Sequence, residues 1–358
     1  MMNYKYILLL ILCISCLYNC TKDTSEGPSL NDLYGDFNIT DSLFIVNNNP
    51  DFASGEVVEF NAAFSLNVKW KITITGEVSG AEKIIESTNI SSEINSDNAS
   101  WNGNTTSIPF FQAEKCMVEL SFPEHPNLLH DSLIIQSPKS YQTDGIIIAD
   151  FENGELPEGS LETPVPDGGN MTFRISNPED IIQDAPLEGN YYYKLGGKVN
   201  WDWSLGYIDI PLDLDPTITS NPTNFFLNIG VLSDTENLHM DQFLNILVSE
   251  SDIPFNDNPA GGADIFGDDV EVYKTQIRPV NWDGWRFFSI SYDEFEVKNP
   301  NAPGVINDRN PQDIKGIRIA CQACPSGGQN PVCPDEYNKE VRTDIDFVIF
   351  TENEPLIN

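Results

Sequence analysis

Residues 271–291 read EVYKTQIRPVNWDGWRFFSIS, and they decide the fold class. The short runs VEVYKTQI (270–277) and WRFFSI (285–290) flank a cluster holding Pro279, Asn281, Asp283 and Gly284. That is the punctuation of two strands and a loop, not of a helix. The same grammar extends outward in both directions. From Phe37 to Ile349 the apolar clusters are short runs or alternations bounded by Asn, Asp, Gly, Pro or Ser, and none sustains the 3.6-residue period of a helix. Helix is expected only as single turns at Asn177–Asp184 and Asn310–Gly316. The expected class is all-β, built as sandwiches.

A boundary falls at Ser137–Thr143 (SPKSYQT), where Pro and small polar residues separate two textures. Upstream, residues 37–138 hold candidate strands at Ser42–Asn47, Glu56–Ala62, Asn67–Thr75, Lys83–Ser87, Met117–Phe122 and Ser132–Gln136, a spacing that suits an immunoglobulin-like sandwich. Trp70 lies in the alternating VKWKITIT and is read as core, whereas Trp101-Asn102-Gly103 is read as a turn. Downstream, residues 145–353 hold ten candidate strands: GIIIADF, MTFRI, YYYKL, LGYIDI, FFLNIGV, FLNILV, VEVYKTQI, WRFFSI, IKGIRIA and IDFVIF. Two antiparallel sheets of four or five strands use that number, which is the arithmetic of a β-jelly-roll sandwich.

Composition excludes more than it names. The 358 residues carry 19 Lys and Arg against 55 Asp and Glu, a formal net charge of −36. Such a balance argues against nucleic acid and against anionic membranes or polysaccharides as partners, since those need cationic side chains. Disorder is excluded by a 40% apolar and 11% aromatic content. At the N-terminus, Lys5 precedes an apolar run from Tyr6 to Leu17 that is too short to span a bilayer. Residues 1–19 therefore read as a secretory signal. They resemble a bacterial lipoprotein signal, in which a cysteine becomes the acylated mature N-terminus. Cys16 has the better upstream residues, Ile14 and Ser15, but the opening Cys20-Thr21-Lys22-Asp23 resembles surface-exported lipoproteins of the Bacteroidota, and Cys20 is the expected lipidation site. Residues 20–36 read as a flexible tether.

The ordered series IADFENG (148–154), YYYKLGGKVNWDWSLGYIDI (191–210), NWDGWRFFSISYDEF (281–295), DIKGIRIA (313–320) and TDIDFVIF (343–350) resembles a carbohydrate-binding β-jelly-roll of the galactose-binding-like type. The order of VKWKITITG, SGAEK and SWNGN upstream resembles bacterial Ig-like modules that stand between a lipid anchor and a binding domain.

Sugar recognition needs flat aromatic faces for the C–H side of a pyranose and polar groups for its hydroxyls. Trp201 and Trp203 lie two apart around Asp202, so an extended backbone turns both indoles to one side. That pair is either a platform or a part of the interior. Tyr207 is a further candidate, and at least one of Tyr191, Tyr192 and Tyr193 should face outward. Trp285 opens an apolar run and is read as core, while Trp282, in a Pro/Asn/Asp/Gly loop, is read as a ligand contact.

The resemblance also implies a structural calcium tying the first strand to the last, held by Glu152, Asp346 and a carbonyl near Gly189 or Asn190. The acidic stretch 256–269 lacks EF-hand spacing and reads as a solvated loop. Cys321, Cys324 and Cys333 have no His nearby to complete a zinc site, so a disulfide is expected, with Cys324 and Cys333 closing a loop and Cys321 or Cys116 left over; sequence does not fix the pairing. No nucleophile elbow, zinc-protease motif or phosphate loop is present, and the chain is not expected to be an enzyme.

These readings combine into one expectation. The chain is an outer-membrane lipoprotein on the extracellular side that binds a neutral polysaccharide or oligosaccharide through its C-terminal jelly-roll. The resemblance implies an accessory role in glycan uptake beside a TonB-dependent transporter and its lipoprotein lid. The alternatives are an assembly subunit of an outer-membrane complex with a non-binding jelly-roll, and a glycoside hydrolase using two carboxylates.

Overall fold

A computed structural model describes residues 35–164, 169–177, 184–199, 203–234, 241–255, 264–303, 305–323 and 340–357. Among them regular structure is strand, apart from single turns of 3-10 helix. One of those turns, Pro311–Asp313, lies inside the expected 310–316 segment. The other expected turn, 177–184, falls mostly outside the described residues.

The first sandwich comprises β1 (Ile39–Ile45), β2 (Val58–Val68), β3 (Lys71–Gly76), β4 (Glu82–Glu86), β5 (Ser91–Ile94), β6 (Ser100–Trp101), β7 (Lys115–Phe122) and β8 (His125–Ile134). One sheet runs β1-β2-β5 with β6 on β2; the other runs β4-β3-β7-β8. Alternation sends Val58, Phe60, Ala62 and Phe64 of β2 inward to meet Ile72, Ile74, Val118 and Leu120. Trp70 is buried, as its alternating context predicts. Trp101 is not a turn residue: it ends β6, is 1% exposed and packs edge-on against Phe52 and Phe111 at 4.7 and 4.8 Å. The chain reverses just after it, where Gly103 takes φ +88°.

The second sandwich comprises β9 (Gly145–Ala149), β10 (Leu161–Pro164), β11 (Gly169–Ile175), β12 (Tyr193–Val199), β13 (Trp203–Pro211), β14 (Phe225–Ser233), β15 (Gln242–Ser249), β16 (Val272–Ile277), β17 (Gly284–Ser291), β18 (Glu296–Val297), β19 (Gly316–Ala323), β20 (Glu340–Arg342) and β21 (Asp344–Glu352). A six-stranded sheet has the order β10-β13-β19-β15-β16-β18, and a seven-stranded sheet has the order β11-β12-β21-β14-β17, with β20 on β12 and β9 on β21. Leu205, Ile208, Leu244, Ile246, Ile317 and Ile319 of the first sheet meet Leu227, Ile229, Val231, Ile345 and Val348 of the second across the core.

What covers the outer faces of these two sheets differs, and this positions the site. In β21, Ile345, Val348 and Phe350 point to the core, yet Phe347 and Ile349 belong to a separate cluster on the outer side. A bulge explains the broken phase: the pairing with β14 shifts between Asn228 and Gly230, and Phe347 takes φ +48°. Phe347 and Ile349 are buried there with Phe110 of the first sandwich, Tyr141 of the connector and Leu187. The rings of Phe110 and Phe347 meet at 5.2 Å. The outer face of the seven-stranded sheet is thus occupied by the junction between the sandwiches.

Candidate ligand face and acidic loop

The outer face of the six-stranded sheet carries the residues that alternate with its core positions. Register aligns Tyr207, Ala320, Asn245 and Gln276 in one row, and Asp209, Arg318, Leu247 and Lys274 in the next. Arg318 is the centre of this surface. Its Nε and Nη2 donate to Asp209 Oδ1 and Oδ2 at 2.6 and 2.7 Å, and Asp264 lies 3.4 Å away. The guanidinium sits 3.9 Å from the centroid of the Tyr207 ring and 4.6 Å from that of Phe266. Burial works against the Arg318 charge, but the Asp209 hydrogen bonds outweigh it and hold the guanidinium pKa above its ordinary value.

Phe266 and Ile265 belong to a loop folded over one end of the sheet, anchored where Ser249 Oγ donates to the Ile265 carbonyl. In the adjacent row the side chains step down to Ala320, leaving half-buried Tyr207 on one side and Asn245 on the other. The Asn245 Oδ1 atom is buried with no hydrogen-bond partner. At the opposite end Arg278 pairs with Asp241 and lies 4.3 Å from the Phe243 ring centroid. The arrangement offers an aromatic plane fixed by a cation beneath it, with amide and carboxylate groups around a shallow floor. It can take up a ring with one apolar face and peripheral hydroxyls.

The expected ligand residues distribute unevenly. Tyr207 lies on this face. Trp201 is outside the described residues; the backbone of Trp203 opens β13 opposite Ala323, and its side chain is outside them too. Trp282 is a correction: it is 5% exposed within the core, its indole N–H donating to the Val231 carbonyl at 3.4 Å. Its loop contains turn residues but is drawn inward, because the Val280 N–H donates to the Gln242 carbonyl and Gln242 Nε2 donates back to Val280 O. Trp285 packs partly buried against the junction cluster, and Tyr191 is the half-buried member of its tyrosine triplet.

Sequence reading passed over Arg318, Asp209, Asp264 and Asn245. A usable signal existed: GIRIA (316–320) and GYIDI (206–210) each hold a single charge, of opposite sign, within an apolar alternation. Two such strands side by side place a buried ion pair on the non-core face.

Glu152 and Asp346 converge on a second feature, the loop 187–191. The Glu152 carboxylate accepts from the N–H groups of Asn190 (2.8 Å) and Tyr191 (3.0 Å), and that of Asp346 from Leu187 (2.8 Å) and Glu188 (3.1 Å). Gly189 permits the approach, since a Cβ there would lie 2.1 Å from Glu152 Cδ. Burial first, then the charges of Glu152 and Asp150, push Glu188 up to about 7. Asp346 is fully buried, and burial raises its pKa well above the ordinary carboxylate range. Among the described residues none of these four carboxylates is in an ion pair. Calcium takes carboxylate and carbonyl oxygens; here the Glu152 and Asp346 oxygens face backbone N–H donors, and among the described residues the group whose carboxylate oxygens lie within 4.8 Å of one another is Glu250, Glu271 and Asp308.

Cys20, Cys324 and Cys333 lie outside the described residues. Cys321 is a buried free thiol that accepts a hydrogen bond from Thr343 Oγ1, and burial pushes it up to about 12.

No family model matches the chain, and no curated protein matches it. Among solved structures it is similar to one of carbohydrate-binding modules from the β-sandwich superfamily, at 12% identity and a TM-score of 0.36, covering 89% of this chain and 99% of that one. It is also similar to a family 11 carbohydrate-binding module from Clostridium thermocellum in complex with a β-1,3-1,4-mixed-linked tetrasaccharide (11% identity, TM-score 0.34, 58% of this chain and 95% of that one). A third is a surface glycan-binding protein from Prevotella bryantii (14% identity, TM-score 0.34, 88% of this chain and 77% of that one).

Proposed function

We propose that this chain binds a neutral polysaccharide or oligosaccharide on the outer face of its six-stranded sheet. One observation carries the reading: the Tyr207 ring is backed at 3.9 Å by a guanidinium that Asp209 fixes, beside an Asn245 amide oxygen with no partner, on the sheet face left free by the junction. Arg318 and Arg278 are each already paired with aspartate, which favours a ligand without net charge. The protein acts as a binder rather than a catalyst, displayed at the extracellular side of an outer membrane through an acylated Cys20. It serves a glycan uptake system of the TonB-dependent transporter type. A structural calcium held by Glu152, Asp346 and a carbonyl near Gly189 or Asn190 belongs to the same proposal; it would require the two carboxylates to turn from the loop N–H groups they now face, and would tie the 187–191 loop to β21.

A glycan array with residues 21–358, followed by affinity gels on the hits, tests the reading. Tyr207→Ala should weaken retention about tenfold, or roughly 1.4 kcal/mol, with little salt dependence. Replacing Trp201 and Trp203 together with alanine tests whether that pair extends the platform. Unchanged retention in Tyr207→Ala would sink the assignment of this face.

A further inference from the structure

A cavity of about 310 Å³ lies on the other side of the molecule, where the sandwiches meet. Lys83 of β4 and Asn102 and Asn104 after β6 line one wall, and Glu352 and Glu354 at the end of β21 line the other. Tyr141 and Leu356, both packed in the junction cluster, give it an apolar side. Lys139, also at the cavity, is neutralised by Asp144 at 3.0 Å. Lys83 differs. In a chain with 55 acidic residues its ammonium forms no ion pair among the described residues, although it is only half exposed and burial holds its pKa below the ordinary lysine value.

The chemistry of the walls selects a class of ligand. Ammonium and amide donors stand opposite carboxylate acceptors in near balance, so neither an anion nor a cation is favoured. A small neutral molecule that both donates and accepts, and has an apolar face for Tyr141 and Leu356, fits. Pockets of this size at domain junctions are common small-ligand sites. We propose that the junction cavity is a second saccharide site, taking one neutral sugar unit at a chain end or branch, with Lys83 donating to a hydroxyl. The ligand class rests on the reading above; the location does not. The two sites lie on outer faces of opposite sheets, which stack about 10 Å apart before side chains are added. One sugar unit therefore cannot reach both, and each site fills independently.

The test is an amide-resolved NMR titration of isotope-labelled residues 21–358 with glucose, galactose, mannose and xylose, and with any oligosaccharide retained in gels. Saturable shifts are expected at Lys83, Asn102–Thr106 and Thr351, with a dissociation constant on the order of 1–10 mM. Lys83→Gln should weaken them about tenfold, while Tyr207→Ala leaves them unchanged. Asn104→Ala is a second variant should Lys83→Gln disturb β4, which altered shifts throughout the first sandwich would disclose. Shifts confined to β13, β15 and β19 overturn this proposal and leave the sheet-face reading standing; junction shifts without sheet-face shifts do the reverse. Junction shifts that follow Tyr207→Ala, or that never saturate, also overturn it.

Discussion

The Arg318 guanidinium directs its N–H groups to Asp209 and Asp264 in its own plane, which leaves its two faces to the rings of Tyr207 and Phe266. Stability and binding therefore separate by residue. Asp209→Ala leaves a cation that is 9% exposed with only the longer contact to Asp264 at 3.4 Å, and should cost about 1–3 kcal/mol in chemical denaturation. Tyr207→Ala removes only a half-buried ring and should cost about 1 kcal/mol, yet it removes the platform. Asn245→Leu should leave stability unchanged or higher, because it eliminates an orphaned buried acceptor, while weakening glycan retention. Glu250 gives a pH prediction. Burial raises it to about 8 despite the hydrogen bond donated by Tyr292 at 2.6 Å, with Glu271 and Asp308 adding repulsion. Because the folded pKa lies above the ordinary carboxylate value of 4.5, this group's contribution is fully present below about pH 4.5 and is lost as pH rises through 8. The loss should be on the order of 2 kcal/mol between pH 5 and 9 at 1.36 kcal/mol per unit, discounted for relaxation. Glu250→Gln should flatten that slope in melts across this range; an unaltered slope would show that Glu250 is not its source.

At the scale of elements, the bulge in β21 couples the core, the junction and the acidic loop. It turns Asp346 toward Leu187 and Glu188 while directing Phe347 to Phe110 and Tyr141. Opposite it, Gly230 leaves room for Leu187: a Cβ there would lie 2.3 Å from Leu187 Cδ2 and 3.0 Å from the Asp346 carbonyl. Gly230→Ala should therefore destabilise by roughly 1–3 kcal/mol, and Leu187→Ala should recover part of that loss in a double-mutant cycle, with coupling of about 0.5 kcal/mol or more. Additive costs would mean the clash is relieved elsewhere. The bulge also marks what sequence could tell. The alternations of β2, β3 and β7 and the apolar runs of β14 and β21 are legible because one or both faces are buried. The strands β5, β6, β10, β18 and β20 are not, because SSEI, SW, LETP, EV and EVR carry too few apolar residues to show a period; their partners define them. A phase change at Asp346 and Phe347 has no local signal, since both neighbours continue an apolar run. At the proposed face the sequence offers Tyr207 as a candidate through its Gly-rich strand, and at the 187–191 loop it offers Glu152 and Asp346 as candidates through resemblance. Arg318 was hidden by reading IKGIRIA as apolar, and Trp282 misled because turn residues imply a loop but not an exposed one.

For the whole molecule, the first sandwich acts as a cover for one face of the second, so the ligand face depends on it only indirectly and the junction cavity depends on it directly. Phe110 is the pivot: it is 3% exposed, and its ring meets those of Phe347 at 5.2 Å and Tyr141 at 4.9 Å. Phe110→Ala deletes most of that contact, at about 3–5 kcal/mol for a buried phenylalanine. Most of this cost falls on docking rather than on either core, because Phe110 sits in the junction cluster and not in the two main ones. The net charge of −36 then gives the open state a salt dependence. Two acidic bodies repel, and 0.5 M salt screens that repulsion to a few ångströms. In Phe110→Ala, limited proteolysis should cut the connector around Ser137–Thr143 faster than in the parent chain, by about tenfold at low ionic strength and by less in high salt. Glycan retention through Tyr207 should persist, whereas sugar-induced shifts at Asn102–Thr106 should vanish. Equal cleavage of parent and variant at both salt concentrations would show that docking does not rest on this ring, and loss of retention at Tyr207 would show that the cover and the ligand face are coupled through the core.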